Sequence, residues 1–455
     1  MSESLQVLRS HARQIWHAGV EAANAGRLVE DAVGRRGAWI RFGDLHMRLA
    51  EIDSILVVGG GKAGAEMSAG FERSLGERIP RRLPVRGWVH VPDRSVRRLK
   101  TIHLHGARSR PDNRPTASGV EGTRRLGEML DGATRRDLVV CLLSGGASAL
   151  LPAPVPGVSL AAKRRVTTLL HRSGASIEEM NAVRKHLSWL KGGGMVRRVK
   201  GGRIVSLIVS DVIGDRLDVI GSGPTAPDPT TFADAVEVLR RHRIWSISPL
   251  PVRRVLQAGV AGARQETLKR LPARVHNVVI GNNRTALEAA AREARRLGYR
   301  VVRMPTSVAG EAGQAGAQLA RMASRVRDRG DPVRPPACIL SGGETTVRLG
   351  RTTGKGGRNQ ELVLAALCWL QEDGLQGIVL LSAGTDGEDG PTDAAGACGD
   401  RNLWRRAASR GMDPGALLAR HDSYNFFSPL DGLLKTGPTG TNVMDLQVVL
   451  VGAPG

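Results

Sequence analysis

Aromatic side chains are scarce in this chain, and acids are outnumbered. Phe, Tyr and Trp together make up 3% of the 455 residues, so any core must be built from Val, Leu, Ile and Ala. Only 43 Asp and Glu face 66 Lys and Arg, giving a net charge of +23. The four cysteines, Cys141, Cys338, Cys368 and Cys398, are scattered without a C-x-x-C pair, which argues against a disulfide framework or a zinc site. No run reaches the ~18 apolar residues that a membrane span requires. The first residues also lack the charged-then-apolar pattern of a secretory leader. The expectation is a soluble, cytoplasmic protein with reduced thiols and no membrane partner. G-x-S-x-G, H-E-x-x-H and the protein-kinase H-R-D set are absent as well, so serine-hydrolase, zinc-protease and protein-kinase chemistry have no signature here. The basic excess is dispersed in pairs such as Arg97-Arg98, Arg197-Arg198 and Arg253-Arg254. No nucleic-acid-binding motif accompanies them, so they read as a solvated surface that concentrates small anions, not as a specific nucleic-acid site.

Glycine is abundant, at 57 residues, and it recurs in one context. Short apolar runs at 52–58, 138–143, 204–209, 275–280, 337–340 and 378–381 each end in small residues or glycines, and most lead into a helix-like segment. Unbroken apolar runs of this length suit strands buried on both faces, and their alternation with helices gives βαβ units. The fold class expected is α/β with two domains. Residues 1–250 form a Rossmann-like α/β/α N-terminal domain and residues 251–455 a second α/β domain, with the active site in the cleft between them. The boundary is placed near 247–251, and the Pro-rich stretch 328–336 reads as a linker or surface loop. Residues 5–32 carry apolar positions at helical spacing.

Six segments carry residues suited to binding anions or cations. The turn Gly59-Gly60-Gly61-Lys62 follows a strand and precedes a helix, where backbone N–H groups and an ammonium suit a phosphate or carboxylate; the alternative is a structural turn with an exposed lysine. Gly59, Gly61 and Gly64 also fit the dinucleotide fingerprint G-x-G-x-x-G, but no acid is evident about 20 positions on. Ser144-Gly145-Gly146-Ala147-Ser148 offers two hydroxyls for a ligand, or a helix cap. Arg184, Ser188 and Lys191 fall on one face if their segment is helical; a solvated surface helix is the alternative. Asp211 and Asp215 stand at a strand end suited to Mg²⁺, or cap a turn. Gly354–361 (GKGGRNQE), with Gly357 and Arg358, places an arginine in a glycine-rich helix start, where it can grip a phosphoryl group. Residues 383–393 hold four acids beside glycines, including Asp386: a Mg²⁺-nucleotide site or an acidic loop. Several basic or acidic glycine turns at strand ends are the equipment of phosphoryl transfer, which works by positioning and charge neutralisation.

Residues 58–67 (VGGGKAGAEM), 143–151 (LSGGASALL), 180–194 (MNAVRKHLSWLKGGG) and 210–229 resemble the N-terminal half of glycerate 2-kinases. Residues 341–346 (SGGETT), 354–361, 383–395 and 436–446 (TGPTGTNVMDL) resemble their C-terminal half, in order and across nearly the whole chain. The resemblance implies Mg²⁺-dependent transfer of the γ-phosphoryl group of ATP to the 2-hydroxyl of D-glycerate, with Lys62 and Arg358 as catalytic residues. It extends the binding set of Gly59, Gly60, Gly61, Ser144, Gly145, Gly146, Ser148, Arg184, Lys191, Asp215 and Gly357 by Gly343, Glu344 and Asn442. Asp211 and Asp386 are the expected Mg²⁺ ligands, and Asp215 is placed to orient the glycerate hydroxyl. A homodimer is compatible with this reading. The family's H-P-x-P-D segment is replaced by residues 106–118 (GARSRPDNRPTAS), and Met444 stands where relatives often carry Asn. Rival readings are an NAD(P)H-dependent hydroxypyruvate or glyoxylate reductase, from the glycine fingerprint, and a basic nucleic-acid or polyphosphate-binding protein, from the charge.

Overall fold

The computed structural model describes residues 4–75, 83–108, 114–304, 307–349 and 354–453; residues 109–113 of the segment replacing H-P-x-P-D lie outside them. The chain is α/β throughout and divides into two compact units, Ala25–Ile280 and Met1–Asn24 with Gly281–Gly455. Among the described residues no helix is long and apolar enough to cross a membrane.

Ala25–Ile280 is built on a six-stranded sheet in the order Ile102–Arg108, Val85–Pro92, Ser54–Gly60, Asp137–Ser144, Arg203–Val209, Val275–Gly281. The pairings from the first strand through the fifth are parallel. In chain order this is 3-2-1-4-5-6, the Rossmann arrangement. Its order reverses between Ser54–Gly60 and Asp137–Ser144, and open α/β sheets bind ligands beyond the carboxyl ends of the strands at such a reversal. Leu56, Val58, Val139, Cys141 and Leu143 pack with Leu126 and Leu130 of helix Ala117–Asp131, while Ile55, Val57, Val140 and Leu142 are equally buried on the other face. Both-sided burial is why these strands read as unbroken apolar runs.

The chain does not leave this unit at residue 250. Helices Leu160–Arg172, Ile177–His186, Phe232–Arg241 and Leu250–Val260 share one core of Val166, Leu170, Val183, Leu239 and Leu256. Pro249 and Pro251, within the boundary expected near 247–251, start the last of these helices, where a missing N–H costs nothing. The unit instead ends at Ile280.

The other unit carries a mixed sheet ordered Arg300–Arg303, Ala337–Thr346, Asp445–Val451, Ile378–Gly384, Gly396–Asp400, Leu433–Leu434, with Val308–Glu311 also paired to Ala337–Thr346. Asp445–Val451 runs antiparallel between Ala337–Thr346 and Ile378–Gly384. Its two faces are covered by different helices. Leu8, Ala12, Ile15 and Trp16 of helix Leu5–Ala22 pack on Cys338, Leu340, Val379, Leu381 and Val448. Leu319, Leu362 and Leu367, from helices Ala312–Arg329 and Arg358–Gly374, pack on Ile339, Leu380 and Val449. The amphipathic N-terminal segment thus serves the C-terminal sheet, not the adjacent N-terminal one. Arg9 pairs with buried Asp400 (2.9 Å), and the Trp16 indole donates to the Ala383 carbonyl (3.3 Å). The Pro-rich stretch 328–336 is a loop inside this unit, between helix Ala312–Arg329 and strand Ala337–Thr346.

Candidate active site

In Ala25–Ile280 the reversal point is closed by two crossing loops. Gly59 and Gly61 stand at φ 140° and 153°. A Cβ on Gly59 would lie 2.0 Å from the Leu142 carbonyl oxygen, and one on Gly61 would lie 2.0 Å from Ser144 Oγ. Only glycine allows this approach. The Lys62 amide donates to the Gly145 carbonyl (2.8 Å), and the Ala63 amide to Ser144 Oγ (3.1 Å). The Lys62 stem then runs over Gly146, at φ 80°, where a Cβ would stand 3.2 Å from Lys62 Cγ. Lys62 is half-buried and held at the carboxyl edge of the sheet, directly before helix Gly64–Leu75.

This geometry corrects the expected role of the first glycine turn. The amides of Gly61 and Gly64 donate to the carbonyls of His90 and Gly61, so all four N–H groups from 61 to 64 are spent within the protein. Gly59, Gly60 and Gly61 therefore position Lys62 and do not cradle an anion through their backbone. The same observation removes the pyrophosphate cradle of the dinucleotide fingerprint. An acid does follow the second strand, Asp93, but its Oδ1 accepts the Arg108 amide (3.1 Å). Ser144, expected to bind ligand or cap its own helix, caps the start of the neighbouring one.

Ser148, Arg184 and Lys191 converge, although not as a helical face. The helix Ile177–His186 stops before Ser188, and Lys191 sits in the following turn. Gly192 and Gly193, at φ 56° and 76°, let that turn bond the carbonyls of Ser222 and Gly223. Lys191 Nζ donates to Ser148 O and Oγ (2.9 and 2.8 Å), Arg184 donates to the same Oγ, and Ser148 Oγ also meets Ser222 Oγ (2.9 Å). Lys191 is 2% exposed, so the solvated-helix alternative fails. Asp211 and Asp215 follow strand Arg203–Val209, and Asp215 holds a left-handed φ of 52°.

In the other unit Arg358 opens helix Arg358–Gly374 and lines a cavity of about 410 Å³ with Glu344, Gly357, Glu361 and His421. Arg358 Nε and an Nη reach both oxygens of buried Asp445 (2.6 and 2.8 Å), and its other Nη meets exposed Glu344 (2.9 Å). Burial lowers the guanidinium pKa, and Asp445 and Glu344 more than reverse that, keeping it charged. The fork is therefore fixed in direction, with one arm on an exchangeable surface partner. Gly357 admits Asp389, whose carbonyl-side carbon would lie 2.5 Å from a Cβ there. Asp389 accepts the amides of Asn359 and Gln360 (3.0 and 2.9 Å) and both their side chains, capping the helix that carries Arg358. Burial pushes its carboxyl up to about 6. Replacing Asp389 with Ala should destabilise the fold by about 1–2 kcal/mol through loss of this cap, read as a lower urea midpoint.

Asp386 takes the Glu388 amide (3.0 Å), and its carboxylate and that of Asp445 both border Gly384. Gly343, at φ 146°, admits the Val308 carbonyl, and Asn442 Oδ1 accepts the Met444 amide (3.4 Å). Met444 stands at φ 69°, a region that suits Asn better than Met. Among the described residues no group of three or more His, Cys, Asp and Glu forms a ready-made metal cage. Mg²⁺ needs none, since one or two carboxylates and substrate phosphates suffice, and half-buried Asp386 and Asp211 fit that requirement.

Sequence reasoning had assigned no role to Asp445 or Lys163, and had grouped Asp389 with the acids of a Mg²⁺-nucleotide site or an acidic loop, where it instead caps the helix that carries Arg358. Asp445 is an acid heading an apolar strand, and Lys163 shares a helical stripe with buried Val166 and Leu170. Both are charges at core positions, the legible signal of a buried partner or ligand.

Comparisons agree with this architecture. A family described as a domain of unknown function, DUF4147, matches residues 11–257, and the MOFRL family matches 337–445. The glycerate 2-kinase of Pyrococcus horikoshii is 39% identical over 397 residues, 87% of each chain. The D-glycerate 2-kinase of Thermotoga maritima is 40% identical over 400 residues, 88% of this chain and 91% of that one. The crystal structure of a Thermotoga maritima glycerate kinase matches with a TM-score of 0.82 at 37% identity, covering 98% of this chain and 100% of that chain. At that identity and coverage, the chain belongs to the glycerate 2-kinase family.

Proposed function

We propose that the chain transfers the γ-phosphoryl group of ATP to the 2-hydroxyl of D-glycerate, yielding 2-phosphoglycerate and ADP. The observation that carries this reading is a pair of positioned cations. Lys62 is held at a Rossmann reversal point, and Arg358 is gripped from behind by Asp445. Phosphoryl transfer needs charge neutralised on the moving group more than it needs a nucleophilic side chain. Lys62 supplies an ammonium whose backbone cannot shift without breaking the 145 and 144 contacts. Arg358 offers the arm now on Glu344 to the phosphoryl oxygens, with Glu344 as the ground-state partner they replace. Asp386 and Asp211 are the carboxylates that would hold Mg²⁺, and the ion would supply charge neutralisation to the nucleotide phosphates. Asp215 orients the glycerate hydroxyl, and Asn442 and Gly343 contribute to binding the substrates. The glycine fingerprint gives no support to a reductase, because its amides are already bonded.

Purified protein given D-glycerate, ATP and Mg²⁺ should release ADP in a coupled assay, with phosphorus NMR showing phosphate on the 2-hydroxyl. Absence of ADP release, together with NAD(P)H oxidation on hydroxypyruvate, would overturn the reading.

A further inference from the structure

Two residues past Gly146, within the unit Ala25–Ile280, lies a separate cavity of about 240 Å³. Arg114, Lys163, Arg164, Arg184 and Lys191 line it, with hydroxyls from Ser148, Thr167 and Thr168 and no acidic side chain. Lys163 and Lys191 are 7% and 2% exposed. Among the described residues their ammonium groups donate to neutral oxygens: Lys163 to the Leu187 carbonyl (3.0 Å), and Lys191 to Ser148 and to the Gly221 carbonyl (3.3 Å). Among the described residues no carboxylate forms a salt bridge with Lys163, Arg184 or Lys191. Buried charge left without a counter-ion is costly unless something else supplies one. Burial, aided by Arg184, lowers Lys163 to about 7, and burial with Arg184 and Lys163 lowers Lys191 well below its usual value.

We infer that this cavity is the receptor for the carboxylate of the hydroxy-acid acceptor, with Lys163 as a substrate-binding residue that selects acids over neutral polyols. The identity of the acid rests on the glycerate kinase reading; the anion receptor itself does not. Pockets that bury a drug-sized ligand run from about 300 to 1,000 Å³, so this smaller space suits a three- or four-carbon acid and not ATP. Its position supports the same choice. Ser148 lies in the short helix Ala147–Leu150 that starts at Gly146, the residue over which the Lys62 stem runs, so an acid anchored there sits beside the Lys62 turn. Lys163 shares the buried face of its helix with Val166 and Leu170.

The test is calorimetric titration of the full-length protein and of Lys163→Met and Lys163→Arg with D-glycerate, glycerol, inorganic phosphate and ATP, alongside steady-state kinetics. Lys163→Met, which keeps the stem volume, should weaken D-glycerate about 10- to 100-fold in Kd and KM, the range for one charge-assisted hydrogen bond. ATP affinity should be unchanged, glycerol should not bind wild type, and Lys163→Arg should recover most of the loss. D-glycerate binding to wild type should also weaken as pH rises through about 7, where Lys163 loses its proton, and less steeply in Lys163→Arg; Lys191 is the other titrating group facing the cavity, beside Arg114, Arg164 and Arg184. Unchanged D-glycerate affinity in a folded Lys163→Met protein overturns the proposal. So does Lys163-dependent binding of phosphate without D-glycerate, or an equal loss of ATP binding. D-glycerate that binds through Lys163 but is not phosphorylated would sink the kinase reading and leave the receptor standing. Phosphorylation with wild-type KM in Lys163→Met would do the reverse.

Discussion

Arg358→Ala should lower kcat by about 10²–10³, the scale for losing one donor aimed at transition-state charge. The expectation follows from how the side chain is held. Two of its nitrogens are committed to Asp445, and the third rests on exposed Glu344, so its direction is set before any ligand arrives. Removing it also leaves the fully buried Asp445 carboxylate without its cation, and a stability loss of about 1–3 kcal/mol should accompany the rate loss. The two effects separate in Arg358→Lys. One ammonium restores charge near Asp445 but cannot span two carboxylate oxygens and a phosphoryl oxygen together. That variant should recover stability while kcat stays depressed. Steady-state kinetics and urea melts of both variants decide the matter; wild-type turnover in Arg358→Lys would show that charge alone suffices there.

Lys62→Met should lower kcat by a similar 10²–10³ with little change in fold. The thioether stem can lie over Gly146 as the lysine stem does, and the Lys62 amide keeps its bond to Gly145. Stability should therefore stay within about 0.5 kcal/mol of wild type. If the ammonium acts on the moving phosphoryl, the loss falls on kcat and kcat/KM together, and KM for ATP moves little. A variant within about threefold of wild type would leave Lys62 as a structural turn residue only.

Much of the architecture was legible because burial on both faces leaves a plain mark. All six apolar runs read from the sequence are strands. Two further strands of the parallel sheet, Val85–Pro92 and Ile102–Arg108, were not evident, since Arg86, Trp88, His90, His103 and His105 interrupt their apolar pattern. His103 and His105 stack on Trp88, so the edge of the sheet is covered by rings and not by aliphatic groups. The antiparallel insertion of Asp445–Val451 was equally hidden, because a central strand reads the same in either direction. Helix Leu5–Ala22 announced its apolar stripe but not its partner, and only tertiary packing assigns it to the C-terminal sheet.

The candidate site shows the same limit. Lys62 and Arg358 stood out because a charged residue inside a glycine turn is unusual for plain punctuation. That the amides at 61–64 are already spent could not be read, since three of the groups that take them, at His90, Ser144 and Gly145, come from segments distant in sequence. Arg184 and Lys191 were paired for a helical reason that fails and meet instead through a glycine turn. Lys163 was passed over, although its place in a stripe with Val166 and Leu170 is where a lysine would be expected only with a task.

A double-mutant cycle on Lys62→Met and Arg358→Ala puts the central claim, that both cations are needed for the same phosphoryl-transfer step, to its most direct trial. If they do, the doubly substituted protein loses far less kcat than the product of the two single losses, a coupling well above the ~0.5 kcal/mol seen between independent sites. Losses that multiply fully, so that the double variant falls by about 10⁴ or more, would mean the two residues act on separate events and would contradict the account.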